Sequence, residues 1–130
     1  MSSSVFLRRA LLVDAAASGL TGALMLAGAG MLTDLLGLPA ALLRGAGLVL
    51  VPYVAFVAIV AARAHISTAA VWAVIACNAV WTVASVALVI DGFVTPTALG
   101  TVFVIGQAVA VAALGVLQYV ALRRPQIALA

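Results

Sequence analysis

The sequence predicts an all-α, polytopic membrane protein: an antiparallel four-transmembrane-helix bundle forming a single membrane domain over residues 1–130. Three observations carry that reading. Composition is 68% hydrophobic and only 7% charged, with a mean hydropathy of +1.39, where a soluble domain carries roughly 25% charged residues. The chain holds the charge-free runs Ala15–Thr33, Gly45–Ala62, Ile66–Ile90 and Gly92–Leu122, and a bilayer core about 30 Å thick needs about 20 apolar helical residues. The segments between these runs are short. Strands are disfavoured, because stretches such as Val54–Ala62 lack the polar–apolar alternation of a membrane barrel.

The first helix is expected over about 10–33. The linker that follows, Leu35-Leu36-Gly37-Leu38-Pro39, is too apolar for a solvated loop and is expected to rest at the interface, with Pro39 starting a second helix over about 42–62. Pro52 lies inside that helix and is expected to free a backbone carbonyl and kink it beside Tyr53. Arg63-Ala64-His65 leads to the third helix, about 67–90, with Ser67 or Thr68 as N-cap. Asp91-Gly92 is a turn signal, and Thr95-Pro96 reads as an N-cap with proline at the first helical position of a fourth helix over about 96–121. Asp34-x4-Pro39 and Asp91-x4-Pro96 repeat at an offset of 57 residues, which reads either as two tandem helical hairpins or, preferably, as coincidence or turn chemistry at the bilayer edge. Short links lead us to expect each helix to pack beside its sequence neighbour.

All charges can be placed individually. Arg8, Arg9, Arg63, Arg123 and Arg124 fall on one side, and Arg44 with Asp34 and Asp91 on the other. Arginine-rich flanks face the cytoplasm, so both termini are expected there, in a bacterial inner membrane. A net charge of +3 follows from these anchors. The arginines sit at helix ends rather than on one face, which argues against nucleic acid as a partner.

Polar groups held at depth are the informative ones. Helix centres fall near Thr21, Tyr53, Asn78 and Gln107, so each helix places a hydrogen-bonding side chain near the midplane. That level is either a site for a ligand or ion, or interhelical glue worth roughly 0.6 kcal/mol per bond. Asp14 is the one acid inside a predicted span. It shares a helix face with Ser18, Thr21, Gly22 and Met25. Its carboxyl is expected either to carry a proton or cation, or to pair structurally with Arg8, Arg9 or Arg63. Ala15-x3-Gly19-x3-Ala23-x3-Ala27 offers a small-residue seam, within the chain or between chains. Cys77 reads as a small buried side chain and Trp81 as bundle packing. His65, Cys77 and Asp14 lack metal-ligand spacing, and no catalytic constellation or cofactor motif is present.

The order of helix, Leu36-Gly37-Leu38-Pro39 linker, glycine-bearing second helix and tight hairpin resembles small bacterial four-helix integral membrane proteins of the DoxX-like type. The similarity covers topology over most of the chain and a motif over Leu36–Gly47. It implies a four-helix bundle, in a group linked to quinone or sulfur redox chemistry. An acidic residue expected early in the second helix of that group is replaced here by Arg44-Gly45-Ala46-Gly47, so no redox role is carried over. The reading is a small accessory or interaction subunit without catalysis of its own, partnered by the bilayer and by another copy or a larger membrane complex. The alternatives are an oligomeric transporter or channel using Asp14 and the midplane groups, and a lipid- or quinone-binding module.

Overall fold

The structure, a computed structural model, describes residues 2–124, and among these it is helical without strands. The first apolar run folds as two helices rather than one over 10–33: α1 (Ser2–Ala27) and α2 (Ala29–Leu36). Gly28 marks the break, with φ −102° and ψ 9°. Hydrogen bonding passes through it, because Gly28 donates to the Leu24 carbonyl and accepts from Leu32, each at 2.8 Å. Gly37 ends α2 in the left-handed region at φ 68°, its N–H donating to the Thr33 carbonyl. Leu36 and Leu38 of the linker are buried in one apolar cluster with Met25 and Leu43.

α3 (Ala40–Ala62) begins directly after Pro39 and stays helical on both sides of Pro52. α4 (Thr68–Ile90) is capped by Ser67, whose Oγ accepts from the Ala70 N–H at 3.2 Å. α5 (Ala98–Arg123) is capped by Thr97, not by Thr95, and Pro96 lies outside the helix. A tertiary contact selects this cap. While Thr97 Oγ1 accepts from the Gly100 N–H, its hydroxyl donates to the Leu35 carbonyl and its backbone N–H to that of Leu36. One threonine thus starts α5 and satisfies carbonyls at the end of α2.

The long helices α1, α3, α4 and α5 are each apolar enough to cross a membrane. At 1.5 Å per residue even the shorter ones exceed a hydrocarbon core about 30 Å thick. Packing follows chain order for the first and last pairs of long helices but not for the middle one. α1 lies tightly on α3, α4 lies tightly on α5, and α1 also meets α5, while α3 and α4 barely touch. The expectation that sequence neighbours pack together therefore fails for this pair. Near the arginine-rich end, Val57 and Val60 of α3 share an apolar cluster with Val71 and Val74 of α4. Farther along, the two helices part and leave an open seam. Of the small residues of α1, Gly19 faces Val54 and Gly22 faces Leu50 and the Gly47 backbone of α3, whereas Ala23 and Ala27 are exposed.

The arginine-rich end is tied together by its own side chains. Arg8 donates to the carbonyls of Ala61 and Arg63, closing the C-terminus of α3. Arg124 lies over the Phe6 ring, 5.0 Å from its centroid.

Candidate functional site

Helical spacing turns Asp14, Ser18 and Gly22 toward the bundle interior. Because α1 starts at Ser2, Asp14 stands at the middle of that helix rather than toward its end. Its side chain is 1% exposed, and the carboxylate accepts four hydrogen bonds. Ser18 Oγ donates to Oδ1 at 2.9 Å. On Oδ2 converge Tyr53 Oη at 2.7 Å, Asn78 Nδ2 at 3.1 Å and Gln118 Nε2 at 2.7 Å. Donors thus reach Asp14 from α1, α3, α4 and α5. The partners are uncharged, and Arg8, a partner the sequence suggested, is engaged with backbone carbonyls instead.

The network continues outward. Tyr53 Oη also lies 2.9 Å from Asn78 Oδ1, and Asn78 Nδ2 donates to Gln118 Oε1 at 2.9 Å. Among the described residues no buried side-chain nitrogen or oxygen lacks a partner. Such completeness matters in hydrocarbon, where each unmet polar group costs several kcal/mol. The cluster separates the two apolar cores of the bundle: Leu11, Val57, Val71 and Ala121 toward the arginines, Met25, Leu43, Leu50 and Val104 toward the other end.

The other residues singled out from sequence divide. Tyr53, Asn78 and Ser18 join Asp14, whereas Thr21 donates to the Ala17 carbonyl of its own helix. Gln107 belongs to a separate group between α4 and α5. It accepts from Trp81 Nε1 at 2.7 Å and donates to Ser85 Oγ and to the Val104 carbonyl. That arrangement fixes Trp81 and joins two helices without touching Asp14. Gln118 was missed because it stands near the end of α5. Its spacing from Gln107, eleven residues or three helical turns, puts it on the same inward face and could have revealed it.

A cleft of about 410 Å³ opens along the seam between α3 and α4, and its mouth faces the region lipid would occupy. Val49, Val80 and Ala84 form apolar walls, while Ser18, Tyr53 and Asn78 border its inner end. Cys77, expected to be buried, is exposed and lines this cleft, because α3 does not cover that side of α4. Across Trp81 lies a second cavity of about 230 Å³, lined by Met25, Leu43, Phe103 and Gln107. A space of about 60 Å³ beside Ser18, Thr21 and Trp81 lies between them. No group of three or more metal-ligating side chains occurs among the described residues.

Comparison with family models, curated proteins and solved structures finds no match.

Proposed function

We propose that this multi-pass membrane protein binds a lipophilic molecule bearing a hydrogen-bonding head, which enters sideways from the bilayer between α3 and α4. The cleft on that seam carries the reading. Its volume falls within the range of about 300–1,000 Å³ typical of small-molecule sites, which combine apolar walls with a few convergent polar groups. Here the walls are the valines and alanines of α3 and α4, and the polar groups are Ser18, Tyr53 and Asn78. The protein performs no catalysis of its own in this reading. It resides in a bacterial inner membrane with both termini cytoplasmic, which the arginine distribution supports. The accessory-subunit reading keeps part of its motive, since Gly19 of the α1 small-residue seam packs on Val54 of α3 while Ala23 and Ala27 stay exposed.

The test is binding of 1-naphthol to the full chain in lipid nanodiscs. A saturable component above bilayer partition is expected, lost in Ala76→Trp, which fills the cleft at an exposed position. Equal uptake by empty and loaded nanodiscs, or a saturable component that survives in Ala76→Trp, overturns the reading.

The cavities on both sides of Trp81 favour a second reading, a transporter whose pathway passes that indole and the Ser18, Tyr53 and Asn78 side chains that hold Asp14. Flux in proteoliposomes that is absent, or unchanged by Asp14→Asn, removes it.

A further inference from the structure

The Tyr53 hydroxyl has one hydrogen and two acceptors, Asp14 Oδ2 at 2.7 Å and Asn78 Oδ1 at 2.9 Å. Two proton arrangements satisfy this geometry, and they differ by a proton on Asp14. When the carboxyl is ionised, Tyr53 donates to Oδ2 alongside Asn78 and Gln118, and Ser18 donates to Oδ1. Asn78 Oδ1 is then left without a donor. When the carboxyl is neutral, its proton lies on Oδ2 and points to Tyr53 Oη. The tyrosine hydrogen then turns to Asn78 Oδ1. No heavy atom has to move, because only a hydroxyl rotates.

Asp14 sits between the two apolar clusters of the bundle. The groups that face Asp14 are Ser18 from α1, Tyr53 from α3, Asn78 from α4 and Gln118 from α5, all uncharged. Cys77, beside Asn78, borders the cleft but makes no hydrogen bond to the acid.

We propose that Asp14 is a proton-exchange site whose state Tyr53 conveys to the cleft, so that the ionised form selects a lipophilic hydrogen-bond donor, a membrane alcohol or phenol. In that form Asn78 Oδ1 accepts the ligand's hydroxyl hydrogen. In the neutral form the Tyr53 hydrogen occupies the same oxygen. Linkage is reciprocal: a donor that prefers the ionised form drives the Asp14 proton off to bulk water. The proposal rests on the cleft being a lipophile site, and its test separates the two.

The experiment uses the full chain in nanodiscs and two probes of like shape, 1-naphthol, which donates, and 1-methoxynaphthalene, which does not. Infrared difference spectra are expected to show a protonated-carboxyl band that vanishes with rising pH and is absent in Asp14→Asn. Naphthol affinity should rise by up to about tenfold per pH unit across that titration, with proton release on binding, while the methoxy compound responds weakly. Tyr53→Phe keeps the acid but removes the rotor, and should abolish the pH preference between the probes. A carboxyl that never changes state, or probes whose affinity ratio stays constant with pH, overturns the proton switch and leaves the cleft reading standing. Failure of both probes to bind at every pH overturns the cleft reading itself, and the selectivity with it.

Discussion

Gly100 of α5 lies flat against the Leu36 carbonyl at the end of α2, so closely that a side chain of any size would overlap that oxygen. The approach is what lets Thr97 reach the carbonyls of Leu35 and Leu36. α2 is thereby fastened to the start of α5, at the end of the bundle opposite the arginines.

Gly100→Ala should therefore separate α2 from α5 and loosen that end. Overpacking of this kind costs typically about 1–3 kcal/mol, and here the neighbour is backbone, which cannot rotate aside. Gly106→Ala on the same helix meets nothing within 4 Å, and should be neutral or stabilising by about 0.5–1 kcal/mol. Unfolding midpoints in mixed detergent micelles check the pair. Equal midpoints would show that the close approach is not maintained in solution.

Arg8 closes α3 by donating to the carbonyls of Ala61 and Arg63. Arg9, one residue on, is exposed. Arg8→Ala should cost about 0.3–1 kcal/mol, the usual worth of a cation at a helix C-terminus, and Arg9→Ala nothing measurable. The loss should shrink in high salt, because this bond lies at the aqueous edge. Both variants retain enough arginines on that side to keep the insertion topology, which cysteine accessibility at an added C-terminal residue can verify.

Much of this fold was legible in the sequence. Hydropathy and run length fixed the long helices, because lipid leaves the backbone no alternative to internal hydrogen bonding. The break at Gly28 was not legible, since a single glycine inside an apolar run is ordinary in membrane helices. The cap at Thr97 was misplaced by two residues, because Thr95-Pro96 carries the local signal and the deciding contact comes from Leu36, sixty-one positions away. Periodicity placed Asp14 on the inward face, yet it could not say which helices would meet there. That depended on α4 standing away from α3, beside which α1 packs as expected. With α4 held away, Tyr53 reaches Asp14 and the cleft opens beside it.

Gln118 offers a sharper comparison with Gln107. Gln118→Leu removes a donor from Asp14 and an acceptor from Asn78, both buried. Asp14 keeps Ser18, Tyr53 and Asn78 as donors, so the loss falls on the one Asn78 amide hydrogen left without an acceptor, at about 1–3 kcal/mol. Gln107→Leu orphans the Trp81 indole, which is only partly buried, and should cost less. It should also shift the Trp81 emission, whereas Gln118→Leu should not. Thermal unfolding and tryptophan fluorescence on the two variants decide it, and equal losses would contradict a network centred on Asp14.

Asp14→Asn should retain the fold where Asp14→Leu does not. The asymmetry of the donors makes this so: three converge on Oδ2 and one on Oδ1. An asparagine that places its carbonyl oxygen at the Oδ2 position keeps Tyr53, Asn78 and Gln118 satisfied. Its amide nitrogen then sits at the Oδ1 position and donates to Ser18 Oγ, a hydroxyl that accepts as readily as it donates. Leucine of similar volume offers neither acceptor: Tyr53 can fall back on Asn78 Oδ1, but Gln118 Nε2 and one Asn78 amide hydrogen are stranded inside the bundle, at about 1–3 kcal/mol apiece before relaxation. In bilayers the loss will be smaller than in water-soluble cores, because the separated helices also find partners. The measurement is the unfolding midpoint of both variants, with size-exclusion profiles to confirm that each is monodisperse. Asp14→Asn collapsing as badly as Asp14→Leu would mean that the negative charge itself, and not the set of acceptors, holds the four helices together.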